Sequence, residues 1–211
     1  DLDDSWQRVL NNLDKISNQN CTPLYISQQE EKDFMSIMYD VKDIDSFADI
    51  LVKGIPPAAN SEKTRTITLL KPVFFPAPKD RPTQLERYQV ALRVTSDELV
   101  SVFSHTIHLD YPNDLFPTYA AYSFGEDDIL VSMLSASRDK IKAFVKDNIE
   151  SQKGVLGVDI ARINMSKRLA PTEMWKKYRE GRYLFKPYNG YEEYDFTELA
   201  LLTGAFEEEL R

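Results

Sequence analysis

The sequence predicts an α+β fold of two tandem βαββαβ units, on three observations. Residues 88–165 read strand, helix, strand, strand, helix, strand. Residues 3–70 read in the same order with the opening strand missing. The hairpin-plus-helix stretches of the two halves superimpose at an offset of about 95 residues, the mark of an internal repeat. Asp33 then falls on Asp128 and, after a short slip, Ile44 on Ile141 and Phe47 on Phe144.

Each element follows from local pattern. Trp6, Val9, Leu10, Leu13 and Ile16 recur at helical spacing behind Asp3, Asp4 and Ser5, which suit a helix start. Residues 22–27 form a short strand, residues 28–32 a polar turn, and residues 33–41 the returning strand. Asp43 caps a second helix, with Ile44, Phe47, Ile50 and Leu51 on one face and Gly54, Pro56 and Pro57 ending it. The β-branched run 64–70 is a strand, and Pro72, Pro76, Pro78 and Pro82 mark a stiff connector.

The second half restarts with an alternating strand at 88–94. A capping box, Thr95 and Glu98, opens a helix carrying Leu99, Val102, Phe103 and Ile107. Strands at 118–124 and 128–134 flank a turn at Gly125, where a tight hairpin calls for the positive φ that glycine tolerates. Ile141, Phe144, Val145 and Ile149 make an amphipathic helix, Gly154 caps it, and residues 155–165 form the last strand. Residues 171–179 read as a further helix, with 197–210 as another helix or a loose tail.

The order βαββαβ is the ferredoxin-like pattern. The expected architecture is therefore two ferredoxin-like repeats of the dimeric α+β barrel type, packed sheet on sheet as a pseudo-dimer. The organisation is 1–78, a first repeat without its opening strand; 79–87, a proline-rich connector; 88–168, a second repeat; and 169–211, a helix and acidic tail.

Composition narrows the function classes. The net charge of −8 over 211 residues disfavours phosphate-backbone binding by the whole surface. The charge is uneven: residues 167–186 carry seven basic against two acidic side chains, and residues 191–211 seven acidic against one basic. Trp175, Tyr178, Tyr183 and Phe185 lie in the basic stretch, a mixture that can stack single-stranded nucleic acid but more often packs an apolar side. No run is long and apolar enough to span a membrane. The single cysteine, Cys21, allows no internal disulfide and fits a reducing cytoplasm.

The second repeat resembles the effector-binding domain of Lrp/AsnC transcription regulators. The residues that carry this are Tyr122-Ser-Phe-Gly-Glu-Asp-Asp-Ile-Leu-Val131, the helix 141–149 and Gly154-Val155, with Lys153 where that family usually has proline. The resemblance implies sheet-to-sheet dimers and a small effector, typically an amino acid, bound near the hairpin turn. That singles out Tyr122, Phe124, Gly125, Asp127 and Asp128 as ligand-binding residues. It also implies homo-oligomers formed through sheet or edge-strand contacts. DNA would be held only by a helix-turn-helix module absent from this chain, and the missing first strand suits a chain that once extended further.

Catalytic candidates are few. His105 and His108 share a helix face and could hold a metal with Asp110, but no second ligand cluster accompanies them. Asp127 and Asp128 are adjacent, so in a strand they point to opposite faces and do not form an acid/base couple. No nucleophile elbow, phosphate loop or zincin motif is present. The expectation is thus a non-catalytic ligand-sensing and oligomerisation module of a transcription regulator, with no catalytic residue, metal or cofactor. The alternatives are a dimeric α+β barrel enzyme, either a small monooxygenase or a haem-linked protein, and a pure assembly module.

Overall fold

The computed structural model describes residues 2–30, 35–59, 66–78, 84–182 and 191–192. The chain is mixed α+β, built on one seven-stranded antiparallel sheet in the order β2-β1-β8-β5-β7-β6-β3. The strands are β1 (Cys21–Gln29), β2 (Met35–Val41), β3 (Thr68–Phe74), β5 (Glu86–Val94), β6 (Leu115–Phe124), β7 (Ile129–Ser135) and β8 (Val155–Arg168). A short separate pair joins β4 (Ala77–Pro78) to β9 (Tyr191–Glu192).

Strands of both halves share this sheet, which corrects the expected sheet-on-sheet packing. β1 pairs with β8, and β3 pairs with β6, so the halves meet edge to edge at both junctions. The physical reason is that a strand edge carries unpaired N–H and C=O groups, and pairing two edges satisfies them.

The sheet is rolled. Leu24 on β1, Leu134 on β7, Phe116 on β6 and Phe74 on β3 belong to one buried cluster, with Met38 of β2 packed against it. In a flat sheet β2 and β3 would lie about 29 Å apart, at about 4.8 Å per strand. Their meeting in one cluster defines an inner face.

Helices cover the outer face. α4 (Leu99–Ile107) and α5 (Arg138–Val145) pack on Val90, Leu92 and Val131. α1 (Leu2–Asn11), α2 (Ile44–Asp49) and α3 (Ile55–Ala59) cover Ile26 of β1, with Ile37 and Tyr39 of β2. Gly54, Pro56 and Pro57 do not end the second helix as expected. A π-helical turn, Ile50–Gly54, leads directly into α3, whose first turn holds both prolines. The Ile55 N–H donates to Ile50 O, so the helical ladder runs on up to the prolines, which have no N–H to donate.

Two other expectations shift. β3 starts at Thr68 and runs through Pro72, which sits on a sheet edge where its missing N–H costs no ladder bond. The capping box does not close: Glu98 instead pairs with Lys153, and the Thr95 N–H donates to the Gly154 carbonyl at 2.8 Å. The second helical stretch ends at Ser151, not at Gly154 as expected; Gly154, with φ 88°, lies in the turn that leads into β8. The stretch 197–210 lies outside the described residues.

Candidate functional site

Strand alternation decides which side chains line the inner face. On β5, Tyr88, Val90 and Leu92 pack under α4 and α5, so Arg87, Gln89 and Ala91 face inward. Register carries this across the sheet: Ala91 opposes Leu130, which opposes Ala121, and Gln89 opposes Ala161 on its other side. Ala91, Ala121 and Ala161 are all buried, so this part of the inner wall is made of small side chains.

Two hydroxyls stand on the same wall. Ser123, 3% exposed, and Tyr119 lie on β6 to either side of Ala121. Within the described residues neither Ser123 Oγ nor Tyr119 Oη has a hydrogen-bond partner. A buried polar group without a partner costs free energy, so each is a place where a ligand atom would be favoured. Burial, followed by the nearby Tyr178, pushes the Tyr119 hydroxyl far above the ordinary phenol range, and Arg182 opposes the shift. Tyr119 is therefore a protonated donor at neutral pH.

A helix roofs this wall. α6 (Thr172–Arg179) follows β8 and inserts Trp175 into the inner cluster. The Phe74 ring lies 6.1 Å from Trp175, 6.2 Å from Tyr178 and 5.2 Å from Tyr119. Arg179 is 3% exposed, with its guanidinium 5.6 Å from the Phe74 ring. Further along, Arg87 donates to the Tyr25 hydroxyl, and Arg168 opposes Tyr25 across the β1–β8 ladder. The inner face thus combines small residues, aromatic rings, two open hydroxyls and guanidinium groups.

The sequence-expected ligand residues lie elsewhere. Tyr122 faces outward and stacks on Phe103 of α4 at 4.0 Å. Phe124 is 52% exposed. Gly125 does not have a positive φ; its lack of a Cβ matters because that atom would stand 2.6 Å from Ile67 Cγ2. Asp128 accepts from the Val94 N–H at 2.7 Å and so stitches the hairpin to β5. Asp127 has a raised pKa, first through burial and then through Glu126 and Asp159, with Arg93 opposing.

His105 and His108 serve backbone carbonyls: their ring nitrogens lie 3.1 Å from Asn148 O and 2.7 Å from Ser104 O. No metal-holding cluster of three His, Cys, Asp or Glu occurs among the described residues. Both histidines belong to α4 or its cap on the outer layer, so the haem-linked alternative has no histidine on the inner face.

No family model matches the chain, and no curated protein matches it. Two solved structures resemble it, both of putative monooxygenases. The one from Lactobacillus acidophilus NCFM shares 10% identity, with a TM-score of 0.44, over 76% of this chain and 85% of that one. The one from Fusobacterium nucleatum subsp. nucleatum shares 8%, with a TM-score of 0.42, over 81% and 87%.

These findings correct the Lrp/AsnC resemblance, and with it the expected role in transcription regulation and amino-acid sensing. The expectation that the chain is not an enzyme is not borne out either: both similar structures are named as putative monooxygenases. The physical reason is that the motif behind the resemblance is generic to antiparallel hairpins. Gly125 answers a local close approach, and Asp128 a backbone donor. Among the described residues no helix is long and apolar enough to cross a membrane.

The inner-face residues were hard to find in sequence. Alanines and a lone serine carry no periodic signal. The alternation of Tyr88, Val90 and Leu92 was the one clue, since it implies an opposite face.

Proposed function

We propose that the chain is an enzyme of the small monooxygenase kind, made of two ferredoxin-like units joined into one rolled sheet, with its substrate held against the inner face. The unit reading rests on strand order. In the second unit, β5-α4-β6-β7-α5-β8, the strands lie β8-β5-β7-β6, so the first and third strands, β5 and β7, are central with the fourth and second outside them, as in a ferredoxin-like sheet. β1, β2 and β3 take the places of the second, third and fourth strands of the first unit. The division at 79–87 belongs to this proposal.

The observation that carries the site is the pair of buried, unpartnered hydroxyls, Tyr119 and Ser123, on the same wall as Ala91, Ala121 and Ala161. Large, mostly apolar walls with a few placed polar groups suit a small organic molecule. Phe74, Trp175 and Tyr178 favour an aromatic ring, and the open hydroxyls favour oxygen substituents on it. Tyr119 would donate to a substrate oxygen and hold the ring in place.

Monooxygenation is the reaction named for both similar structures and the first to test. It places one atom of O2 in the substrate and reduces the other to water, with two electrons supplied by the substrate or an external donor. Purified protein is incubated with hydroxylated aromatic compounds under 18O2, with and without a nicotinamide reductant, and products are read by mass spectrometry. The expected result is one labelled oxygen per product. Tyr119→Phe should lower kcat/KM by roughly 5- to 150-fold, the worth of about 1–3 kcal/mol in a lost buried hydrogen bond. No labelled product with any compound, or full activity in Tyr119→Phe and Ser123→Ala, overturns the proposal.

A further inference from the structure

The buried Tyr119 hydroxyl, without a hydrogen-bond partner among the described residues, has a cation brought beside it. Arg182 lies just past α6, after a turn that Gly181 makes with φ 74°. The Phe74 N–H donates to the Arg182 carbonyl at 2.8 Å, and Phe74 opposes Tyr119 in the β3–β6 ladder. Backbone pairing thus holds Arg182 about two strand spacings, roughly 10 Å, from Tyr119, a gap that two long side chains span. The Arg182 guanidinium folds over the Tyr178 ring, 4.4 Å from its centroid, and donates to the Tyr178 carbonyl. Tyr178 and Tyr119 flank Phe74, with ring centroids 6.2 and 5.2 Å from it. Charge agrees with this placement: Arg182 acts on both tyrosine hydroxyls and opposes the effect of burial on each. Asp40 of β2 is the acidic group that acts on Tyr178. Among the described residues no carboxylate is ion-paired with Arg182. Arg179 sets a second guanidinium 5.6 Å from the Phe74 ring.

We infer that Tyr119 and Arg182 together hold the carboxylate of an aromatic acid whose ring packs on the inner face. The Tyr119 O–H donates to one carboxylate oxygen and an Arg182 N–H to the other. A guanidinium has several N–H donors, and the bond to the Tyr178 carbonyl uses only part of that set. One charge and two oxygens match one guanidinium and one hydroxyl. A phosphate would bring a further oxygen and more charge into the buried site, which Tyr119 and Arg182 alone do not satisfy. The inference rests on the inner face being the substrate site and names the substrate class for it; it does not depend on the reaction.

The test measures dissociation constants by calorimetry on the full-length chain. The probes are 4-hydroxybenzoate and 2-naphthoate, with their methyl esters, which keep the ring and lose the charge. The acids should bind roughly 10- to 150-fold more tightly than the esters, the worth of a hydrogen bond to a charged group. Arg182→Gln should remove that preference while leaving ester affinity unchanged, and Arg182→Lys should keep part of it. Acids and esters that bind equally well overturn the inference but leave the inner-face site standing. Failure of acids and esters alike to bind overturns the inference together with the reading beneath it. A preference for the acids that survives in Arg182→Gln puts the carboxylate elsewhere, and tighter binding of phenyl phosphate than of benzoate gives the site to phosphate; either result overturns the assignment.

Discussion

Tyr25 and Arg87 sit on strands that do not touch, β1 and β5, yet Arg87 Nη1 donates to the Tyr25 hydroxyl across the intervening β8. The Arg87 guanidinium also lies 5.2 Å from the Tyr25 ring centroid. The contact ties a strand of the first half to the central strand of the second. Arg87 is only 8% exposed, so water replaces a lost acceptor poorly. Tyr25→Phe keeps the ring and removes the acceptor. It should cost about 1.5–3 kcal/mol, the range for hydrogen bonds to charged groups, read as a shift in the urea midpoint.

Two glycines separate a rigid close approach from a forgiving one. A Cβ on Gly54 would stand 2.5 Å from the Lys15 carbonyl oxygen, a backbone atom held by the 3-10 turn Leu13–Ile16. Gly54→Ala should destabilise by about 1–3 kcal/mol, the usual cost of overpacking. A Cβ on Gly125 would stand 2.6 Å from Cγ2 of Ile67, the branch methyl of a side chain that is 52% exposed and free to turn about χ1. Gly125→Ala should therefore stay within about 0.5 kcal/mol, as surface changes do. Equal losses in urea titrations of the two variants would contradict this account.

α6 should depend on one face. Trp175 is 5% exposed, stacks on Tyr178 at 5.5 Å and meets Phe74 edge-on, whereas its neighbour Met174 is 40% exposed. Trp175→Ala removes the side chain that seats the helix on the inner cluster, at an expected cost of about 3–5 kcal/mol. Met174→Ala should change stability by less than about 0.5 kcal/mol. Chemical denaturation of both variants checks the contrast.

These relationships show why the second half could be read in sequence and the inner wall could not. Tyr88, Val90 and Leu92 alternate, and Val102 and Phe103 lie on a helical stripe, so β5 and α4 follow from period alone. The joining of the two halves into one sheet depends on pairs such as Leu69 with Ser123 and Tyr25 with Arg168, far apart in sequence and unmarked by any local pattern. The hairpin drew attention because glycine and aspartate are strong turn signals. In the structure Tyr122 stacks on Phe103, Gly125 lies close to Ile67 and Asp128 accepts from the Val94 N–H. Ala91, Ala121 and Ser123 gain meaning only once the wall they share exists.

Asp127 gives a pH-dependent prediction with a defined sign. Burial, then Glu126 and Asp159, raise its pKa in the folded state, and Arg93 offsets this only in part. The folded chain therefore holds the proton more tightly than the unfolded chain. The resulting stabilisation is fully present below the unfolded carboxylate pKa, about 3.9, and is lost as pH rises through the higher folded value. Above that value the carboxylate is charged in both states, and the fold bears the cost of holding a charge beside the acidic Glu126, Asp159 and Asp128. Asp127→Asn removes the charge while nearly keeping the shape. The variant should melt at a higher temperature than the parent near neutral pH, and the gain should shrink as the pH is lowered toward the carboxylate range. A gain that is constant with pH would trace the effect to packing, and a lower melting temperature at neutral pH would show that Arg93 outweighs the acidic neighbours.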